Sequence, residues 1–281
     1  MKNKVICIVG MGLLGGSYAM GLTRAGNTVY GIDVRRQSID FAKAHGYIAD
    51  GAVQDYAAFV RAADVVVLGL YPHTLLEWVQ NNKHLFKTGA VITDVCGVKC
   101  GVVDAVQAML GDTAEFYGSH PMRGKEVLGV ENADCAIFAD ANFLLTPTQK
   151  NTPQAEAVIR DMARTLGFTT FSTLTPAQHD KMIGYVSQLT HAIAVSLMTA
   201  NDNTHLVDYT GDSFRDLTRI AKINENLWSE LFLWNKENLI AEIDQFSASL
   251  NELKTCLQTE DEEKLRALFR LSTERRKQFD R

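Results

Sequence analysis

Short apolar runs alternate with helical patterns along the first part of the chain. These runs are rich in Val, Ile and Phe, and they cover residues 5–9, 28–33, 65–70, 91–93, 115–118, 143–145 and 168–171. Because they lack the polar alternation of a sheet with one solvated face, they are typical of strands buried on both sides. Helices between such strands imply parallel crossovers. The pattern therefore predicts an α/β fold with a doubly wound, mostly parallel sheet.

Strand patterns stop after residue 171, and helical patterns take their place. Thr175, Pro176 and Gln178 combine a helix N-cap, a proline in the first turn and a capping-box glutamine. Apolar residues then recur at helical spacing, at positions 182, 183, 186, 189, 193 and 197. Further helices are predicted to start near residues 212–213, 224 and 259. We expect two domains, an α/β domain over residues 1–172 and an all-helical domain over residues 173–281.

The stretch of residues 227–257 is so apolar that much of it must be buried. Its large side chains include Trp228, Leu231, Phe232, Trp234, Leu239 and Ile240. A subunit interface formed by these helices explains such a composition. A self-contained helical bundle also explains it, and the sequence leaves both possibilities open.

Composition and charge exclude several classes of function. The net charge of -5 at pH 7 gives no long-range attraction to nucleic acid or to an anionic membrane. No apolar run approaches the ~20 residues of a membrane span. The start of the chain imitates a secretory signal, but glycines at functional spacing favour a strand that enters a glycine loop. The five scattered cysteines favour a reducing, cytoplasmic compartment, and no His or Cys cluster completes a metal site.

A glycine motif follows the first predicted strand directly and opens the first helix. Residues 10–15 read GMGLLG, and this GxGxxG pattern is meaningful because a strand precedes it and a helix follows. The first glycine permits a tight turn, the second lets the backbone approach a pyrophosphate, and the third lets helix and strand pack closely. A Rossmann-type domain that binds NAD is expected. Its predicted cofactor-binding residues are Gly10, Gly12, Leu13, Leu14, Gly15, Asp33 and Arg35.

Asp33 ends the second predicted strand, at the spacing of a carboxylate that binds the adenosine ribose. A carboxylate there repels a 2′-phosphate, which favours NAD over NADP. Arg35 and Arg36 are close by, and arginine is the residue that binds a 2′-phosphate. Use of both cofactors therefore stays open.

His120 follows a predicted strand, at the sheet edge where ligands of open α/β sheets bind. Oxidation of an alcohol by hydride transfer needs a group that takes the hydroxyl proton, and histidine suits that role near neutral pH. We interpret His120 as the candidate catalytic base. The alternative is a structural loop histidine.

Two polar groups interrupt the apolar helical part of the chain. Ser187, Gln188 and His191 form a patch on the predicted helix over residues 177–200, which is either a substrate site or a histidine bonded within a core. Arg215 and Arg219 share a helix face. Such a pair binds substrate carboxylates or forms a solvated face with salt bridges.

Taken together, these segments resemble the prephenate dehydrogenase family, which includes the arogenate dehydrogenases. The likeness runs through residues 10–17 (GMGLLGGS), 93–95 (TDV), 119–122 (SHPM), 185–191 (YVSQLTH), 214–221 (FRDLTRIA) and 227–228 (LW). The resemblance implies an NAD-dependent oxidative decarboxylation in tyrosine biosynthesis, with prephenate or arogenate as substrate. It also implies a nucleotide domain followed by an all-helical dimerisation domain.

The resemblance assigns roles to particular residues. His120 would take the proton of the 4-hydroxyl, His191 would lie near the substrate side chain, and Arg219 would bind a substrate carboxylate. Glu126 and Asp216 match acids of an ionic network near that arginine. Prephenate is the expected substrate, although no single residue separates it from arogenate.

Three departures from the family pattern stand out. Gly97 lacks the hydroxyl that usually orients the catalytic histidine, Gln188 stands where a histidine is common, and Thr190 where a proline is common. The chain also shows neither an appended regulatory domain nor a preceding chorismate mutase segment. What orients His120, and whether tyrosine inhibits the enzyme, is therefore left open.

Two rival functions share some of these features. A 3-hydroxy acid dehydrogenase has the same two-domain plan but needs a lysine in a helical GxxxKxxN pattern, where this chain has His191. A non-catalytic NAD-binding paralogue is favoured only by Gly97, and the presence of His120 and Arg219 argues against it.

Overall fold

Nine β-strands lie in the first part of residues 1–280, which are the residues that the computed structural model describes. They are β1 (Val5–Val9), β2 (Thr28–Ile32), β3 (Asp50–Ala52), β4 (Val65–Leu68), β5 (Val91–Asp94), β6 (Glu115–Phe116), β7 (Gly118–Pro121), β8 (Asn142–Thr146) and β9 (Thr170–Thr173). The apolar pattern does not predict β3, because its three residues include no β-branched or aromatic side chain.

The first six strands form one parallel sheet in the order β3-β2-β1-β4-β5-β6. β1 pairs with β2 on one side and with β4 on the other, so the chain winds outward from β1 in both directions. This reversal leaves a crevice outside the carboxyl ends of β1 and β4, where ligands of such sheets bind. The predicted doubly wound sheet of the Rossmann type is confirmed.

Both faces of the central strands are covered. Along β1, Ile6 and Ile8 pack into the core on one face of the sheet, and Cys7 and Val9 pack into the core on the other face. All four side chains are buried. The lack of polar alternation in this run therefore has the predicted cause.

The last three strands form a separate sheet in the order β7-β8-β9, with β7 antiparallel to β8. The prediction of one strand over residues 115–118 is wrong, because the chain leaves the first sheet at Tyr117 and starts β7 at Gly118. The run over residues 168–171 is also displaced. Gly167 ends the preceding helix with φ +105°, and Phe168 packs into the core before β9 begins.

The helices occupy the connections and the remainder of the described chain. They are α1 (Leu13–Arg24), α2 (Arg36–Ala44), α3 (Ala57–Ala62), α4 (Pro72–Asn82), α5 (Val102–Leu110), α6 (Pro153–Leu166), α7 (Pro176–Ile183), α8 (Thr190–Thr199), α9 (Leu206–Tyr209), α10 (Asp212–Thr218), α11 (Glu225–Trp234), α12 (Lys236–Gln258) and α13 (Glu262–Lys277). The predicted capping box is present at the start of α7, where Thr175 and Gln178 each bond the backbone N–H of the other.

The helix predicted over residues 177–200 consists of α7, a π-helical turn (Gly184–Leu189) and α8. The predicted apolar positions do not share one buried face: Ile183 and Leu189 are buried, whereas Met182, on α7, and Val186, within the π turn, are 49% and 45% exposed.

The described chain divides into two compact units, Met1–Asn235 and the residues from Lys236 onward. The second unit contains α12 and α13, and its Cys256 is buried. Asp261 caps α13, so the predicted helix start near Thr259 is too early; Glu260, with φ +49°, still belongs to the turn. None of the described helices is long and apolar enough to cross a membrane.

Candidate active site

The glycine loop joins β1 to α1 at the crevice of the large sheet. Gly10 has φ +91°, and a Cβ on it would collide with the carbonyl oxygen of Gly69. A Cβ on Gly15 would collide with the carbonyl oxygen of Gly10. Both positions therefore require glycine for the loop and helix to pack as they do.

Gly12 differs from its neighbours because a Cβ on it would meet no atom within 4 Å. The protein therefore leaves open space beside this residue, where a Cβ would obstruct a ligand but no protein atom. Gly12 also precedes α1 without a side-chain cap, and the first N–H groups of a helix lack intrahelical partners. Open space and free donors at a helix N-terminus fit a pyrophosphate, so the loop fits the dinucleotide.

Asp33 lies at the carboxyl end of β2 and fixes this loop. Its Oδ2 accepts the N–H of Met11 at 2.7 Å, and its Oδ1 accepts the N–H of Arg35 at 2.8 Å. Each carboxylate oxygen retains capacity for a further hydrogen bond. The Arg35 Nε lies 3.9 Å from Oδ1, on a side chain that is mostly exposed. Asp33 thus both holds the loop and presents acceptors beside it.

His120 lies on β7, next to the carboxyl end of β5. The N–H of the adjacent Ser119 donates to Asp94 Oδ1 at 3.0 Å, and the Ser119 hydroxyl donates to the Asp94 carbonyl at 2.8 Å. These bonds connect the small sheet to the edge of the large sheet that bears the glycine loop. The hydroxyls of Thr93 and Ser119 lie 2.8 Å apart and connect backbone segments.

The ring of His120 contacts a second histidine. Its Nδ1 lies 3.0 Å from His179 Nε2, and His179 Nδ1 lies 2.7 Å from Asp180 Oδ1. Both His179 and Asp180 are buried on α7. We call His120, His179 and Asp180 the histidine chain. Its open end is His120 Nε2, since Nδ1 already has a partner.

Backbone donors hold the carboxylate at the far end of the histidine chain. The N–H of Lys99 donates to Asp180 Oδ1 and the N–H of Cys100 donates to Oδ2, each at 2.8 Å. Burial alone raises the pKa of Asp180, but the hydrogen bonds from His179 and from these two N–H groups outweigh it. The pKa of Asp180 is therefore lowered, and the side chain is ionised near neutral pH.

Both rings of the histidine chain, His120 and His179, are neutral near pH 7. Burial lowers the pKa of His120 well below its usual value, and the charge of Lys99 lowers it further, as would a proton on His179. Burial also lowers the pKa of His179, and the nearby Lys99 adds to this, while its hydrogen bond to Asp180 opposes both. A neutral His120 can accept a proton.

His191 occupies the start of α8, directly after the π turn. Its Nδ1 lies 2.9 Å from the Ser187 carbonyl, so this nitrogen carries the proton and Nε2 is an acceptor. The ring stacks on Trp228 with centroids 3.6 Å apart. Burial lowers the pKa of His191. The charge of Arg219 lowers this pKa further, whereas the charge of Glu126 acts to raise it.

Arg219 and Glu126 form an ion pair through Arg219 Nη1 and Glu126 Oε1. The structure thus brings together His191, Arg219 and Glu126, three of the residues that the resemblance names. Arg215 and Asp216 are exposed, and neither has an ion pair among the described residues. Of the residues in the predicted ionic network, Glu126 and Arg219 form this ion pair, and the network itself, with the part played by Asp216, stays a prediction.

Gln188 is placed differently from the rest of the predicted patch. It is buried; its Nε2 donates to the Leu231 carbonyl at 3.0 Å, and its Oε1 accepts from Asn235 at 2.7 Å. The amide therefore fastens the π turn to α11. Leu231 also lies against Gly97, since a Cβ there would be 3.3 Å from the leucine side chain.

Sequence reasoning missed His179, Asp180 and Lys99. His179 precedes Ile183 by one helical turn, so its position at the start of an apolar stripe was the available signal. The partner of Asp180 lies 81 residues away in the chain, at Lys99. No local pattern predicts such a contact. Among the described residues, no group of three or more His, Cys, Asp or Glu side chains could hold a metal ion.

Comparison with known proteins covers almost the whole chain. The family model of the prephenate dehydrogenase nucleotide-binding domain matches residues 18–169, and that of the prephenate dehydrogenase dimerization domain matches residues 175–271. The chain is 28% identical to prephenate dehydrogenase of Bacillus subtilis, over 98% of this chain and 76% of that protein. It is 29% identical to cyclohexadienyl dehydrogenase of Zymomonas mobilis, over 97% of this chain and 95% of that protein.

A solved structure agrees with these matches. The fold superposes on the crystal structure of prephenate dehydrogenase from A. aeolicus in complex with hydroxyphenyl propionate and NAD+, with a TM-score of 0.89 and 32% identity. The alignment covers 99% of this chain and 98% of that chain.

Proposed function

The chain belongs to the prephenate dehydrogenase family and is an NAD-dependent dehydrogenase, and we propose that it converts prephenate to 4-hydroxyphenylpyruvate. The reaction is an oxidation coupled to loss of the ring carboxylate as carbon dioxide. The observation that carries the proposal is the position of His120, a neutral histidine with a free ring nitrogen beside the carboxyl edge of the nucleotide-binding sheet.

We propose that the glycine loop and Asp33 hold the cofactor. The N–H groups at the start of α1, on Leu13, Leu14 and Gly15, would bind the pyrophosphate, and the open space beside Gly12 would admit it. Asp33 accepts hydrogen bonds from the adenosine ribose. Bound NAD supplies the hydride acceptor.

His120 is the proposed catalytic base. As the ring carbon that bears the 4-hydroxyl is oxidised, His120 Nε2 takes the hydroxyl proton. Arg219 binds a carboxylate of the substrate, and His191 Nε2 lies near the substrate side chain. Glu126 orients Arg219 through the ion pair that the structure contains. Ser187 and Arg215 are further candidates for substrate contacts, and Gln188 more directly supports the π turn.

We also propose that the residues from about 173 onward, which the sequence assigns to a second domain, form a homodimer. On α12, Ile240, Ile243, Leu250 and Leu257 repeat at helical spacing and are 37–59% exposed. Apolar side chains in such a row are stabilised when a second copy of the chain covers them. Sedimentation analysis of the full chain tests this: a monomer at micromolar concentration would contradict it.

A cytoplasmic location, which the scattered cysteines favour, stays a proposal.

The activity is tested by following NADH formation with prephenate, arogenate and a 3-hydroxy acid. We expect the highest kcat/KM with prephenate. Arogenate differs only by an amino group in place of a keto group, so a preference for arogenate would change the substrate and leave the chemistry intact. Turnover of only the 3-hydroxy acid, or of none of the three, would overturn the proposed function.

A further inference from the structure

The histidine chain ends in a carboxylate that can only accept hydrogen bonds, and this end determines where the protons of both rings lie. We propose that His179 and Asp180 are positioning residues that hold His120 in the tautomer with its proton on Nδ1, so that Nε2 is available as the base. The proposal rests on the proposed function for its catalytic meaning. Its structural content concerns the ring protons and needs no substrate.

The proton positions follow from the contacts in order. Because Asp180 is ionised and already accepts two backbone N–H groups, His179 Nδ1 must carry the proton that faces it. A neutral His179 then has a lone pair on Nε2. That lone pair lies 3.0 Å from His120 Nδ1, so His120 donates from Nδ1. The remaining lone pair of His120 is on Nε2.

The same contacts help when the proton arrives. A proton that passes from the substrate hydroxyl to His120 Nε2 leaves a positive ring whose Nδ1–H still points at the lone pair of His179. The negative charge of Asp180 lies behind that ring, and the Lys99–Asp94 pair lies close enough for both charges to act on His179. The positive charge of Lys99 disfavours the protonated form of His120 and so lowers its pKa. The base therefore returns its proton readily and is neutral between turnovers.

The histidine chain orients the His120 ring, which Gly97 cannot do because it has no side-chain hydroxyl. In the family pattern a hydroxyl at that position orients the catalytic histidine, and here no side chain exists there. The hydroxyls of Thr93 and Ser119 bond to each other and to backbone carbonyls. Among the described residues, the hydrogen-bond partner of the His120 ring is His179.

A purely architectural role is the competing explanation. Asp180 bonds the backbone of Lys99 and Cys100, and so it would stabilise the contact between α7 and that loop even without His120. Stability measurements cannot separate the two explanations. The tautomer of His120 separates them, because a contact that only stabilises the fold does not determine which nitrogen of His120 carries the proton.

The first experiment reads the tautomer directly. Long-range ¹H–¹⁵N spectra of the full-length protein, labelled in the histidine rings, show which nitrogen of each ring carries the proton, and His120→Asn assigns the signals. We expect the Nδ1–H form for His120 at pH 7. In His179→Leu, which removes the acceptor at similar volume, that preference should disappear. In His179→Gln the side-chain oxygen can replace the lone pair of Nε2, and the preference should return.

The second experiment measures the consequence for turnover. We expect His179→Leu to lower kcat by roughly 10²-fold, at the low end of the range for general base catalysis. KM for NAD should be nearly unchanged, and His179→Gln should recover much of the loss. Thr175→Ala is the matched control, since it removes the side-chain cap of the same helix without touching the histidine chain.

The outcomes divide cleanly. An Nε2–H form of His120 in the unmodified protein, or the same tautomer in His179→Leu, would overturn the proposal. So would a kcat for His179→Leu equal to that of Thr175→Ala. If the proposed substrate were wrong, the unmodified protein would lack activity with prephenate while the spectra still reported the tautomer, so the two failures are distinguishable.

Discussion

The ammonium group of Lys99 lies 2.5 Å from a carboxylate oxygen of Asp94, and both side chains are fully buried. Lys99 also donates to the Cys96 carbonyl, and Asp94 accepts the N–H groups of Cys96 and Ser119. The pair thus connects the carboxyl end of β5 to the following loop and to β7. The charge of Lys99 acts on both histidines of the proposed site, and that of Asp94 acts on His179.

Removing one member of this pair should be strongly destabilising. Lys99→Met leaves the Asp94 carboxylate buried without its counter-charge, so we expect the free energy of unfolding to fall by about 3–5 kcal/mol. Urea unfolding followed by tryptophan fluorescence measures it. The double variant Lys99→Met with Asp94→Asn should recover part of the loss. A loss for Lys99→Met below about 1 kcal/mol, as for an exposed pair, would contradict this account.

Asp33 should determine cofactor choice. We expect the unmodified enzyme to have a higher kcat/KM with NAD than with NADP, because the carboxylate repels a 2′-phosphate. Asp33→Ser should lower kcat/KM for NAD roughly 10-fold or more, the value of a hydrogen bond to a charged group, and should narrow the preference as Arg35 is released. Asp40→Ser, an exposed acid on α2, is the control. Equal efficiency of the unmodified enzyme with both cofactors would contradict the assignment.

Arg219 should bind the substrate and not the cofactor. Loss of a hydrogen bond between charged groups costs about 1.5–3 kcal/mol, so Arg219→Ala should raise KM for prephenate roughly 10- to 100-fold. The KM for NAD should change little. Arg215→Ala, which changes an exposed arginine on α10, should have the smaller effect on this KM. A large effect of Arg215→Ala with a mild effect of Arg219→Ala would show that the wrong arginine was assigned.

The sequence predicts those features whose signal is local. The glycine loop, the capping box at Thr175 and the central strands follow from residue type and short spacing, and each is where the pattern indicates. The displaced start of β9 does not follow from such local signals. Phe168 is of a residue type common in strands, but it packs into the core directly after Gly167. The contact between His120 and His179 joins residues 59 apart in the chain, and so only the fold shows it.

The central claim is that neutral His120 takes the substrate proton, and the pH dependence of kcat tests it most directly. Because burial and the charge of Lys99 lower the pKa of His120, its neutral form persists below the usual histidine value of ~6.5. Activity should therefore be lost only as the pH falls through that lowered pKa. His120→Asn cannot take a proton near neutral pH, and it should reduce kcat roughly 10²–10⁴-fold while NAD still binds. If the variant instead retained its activity with the same acidic limb as the unmodified enzyme, His120 would not be the base.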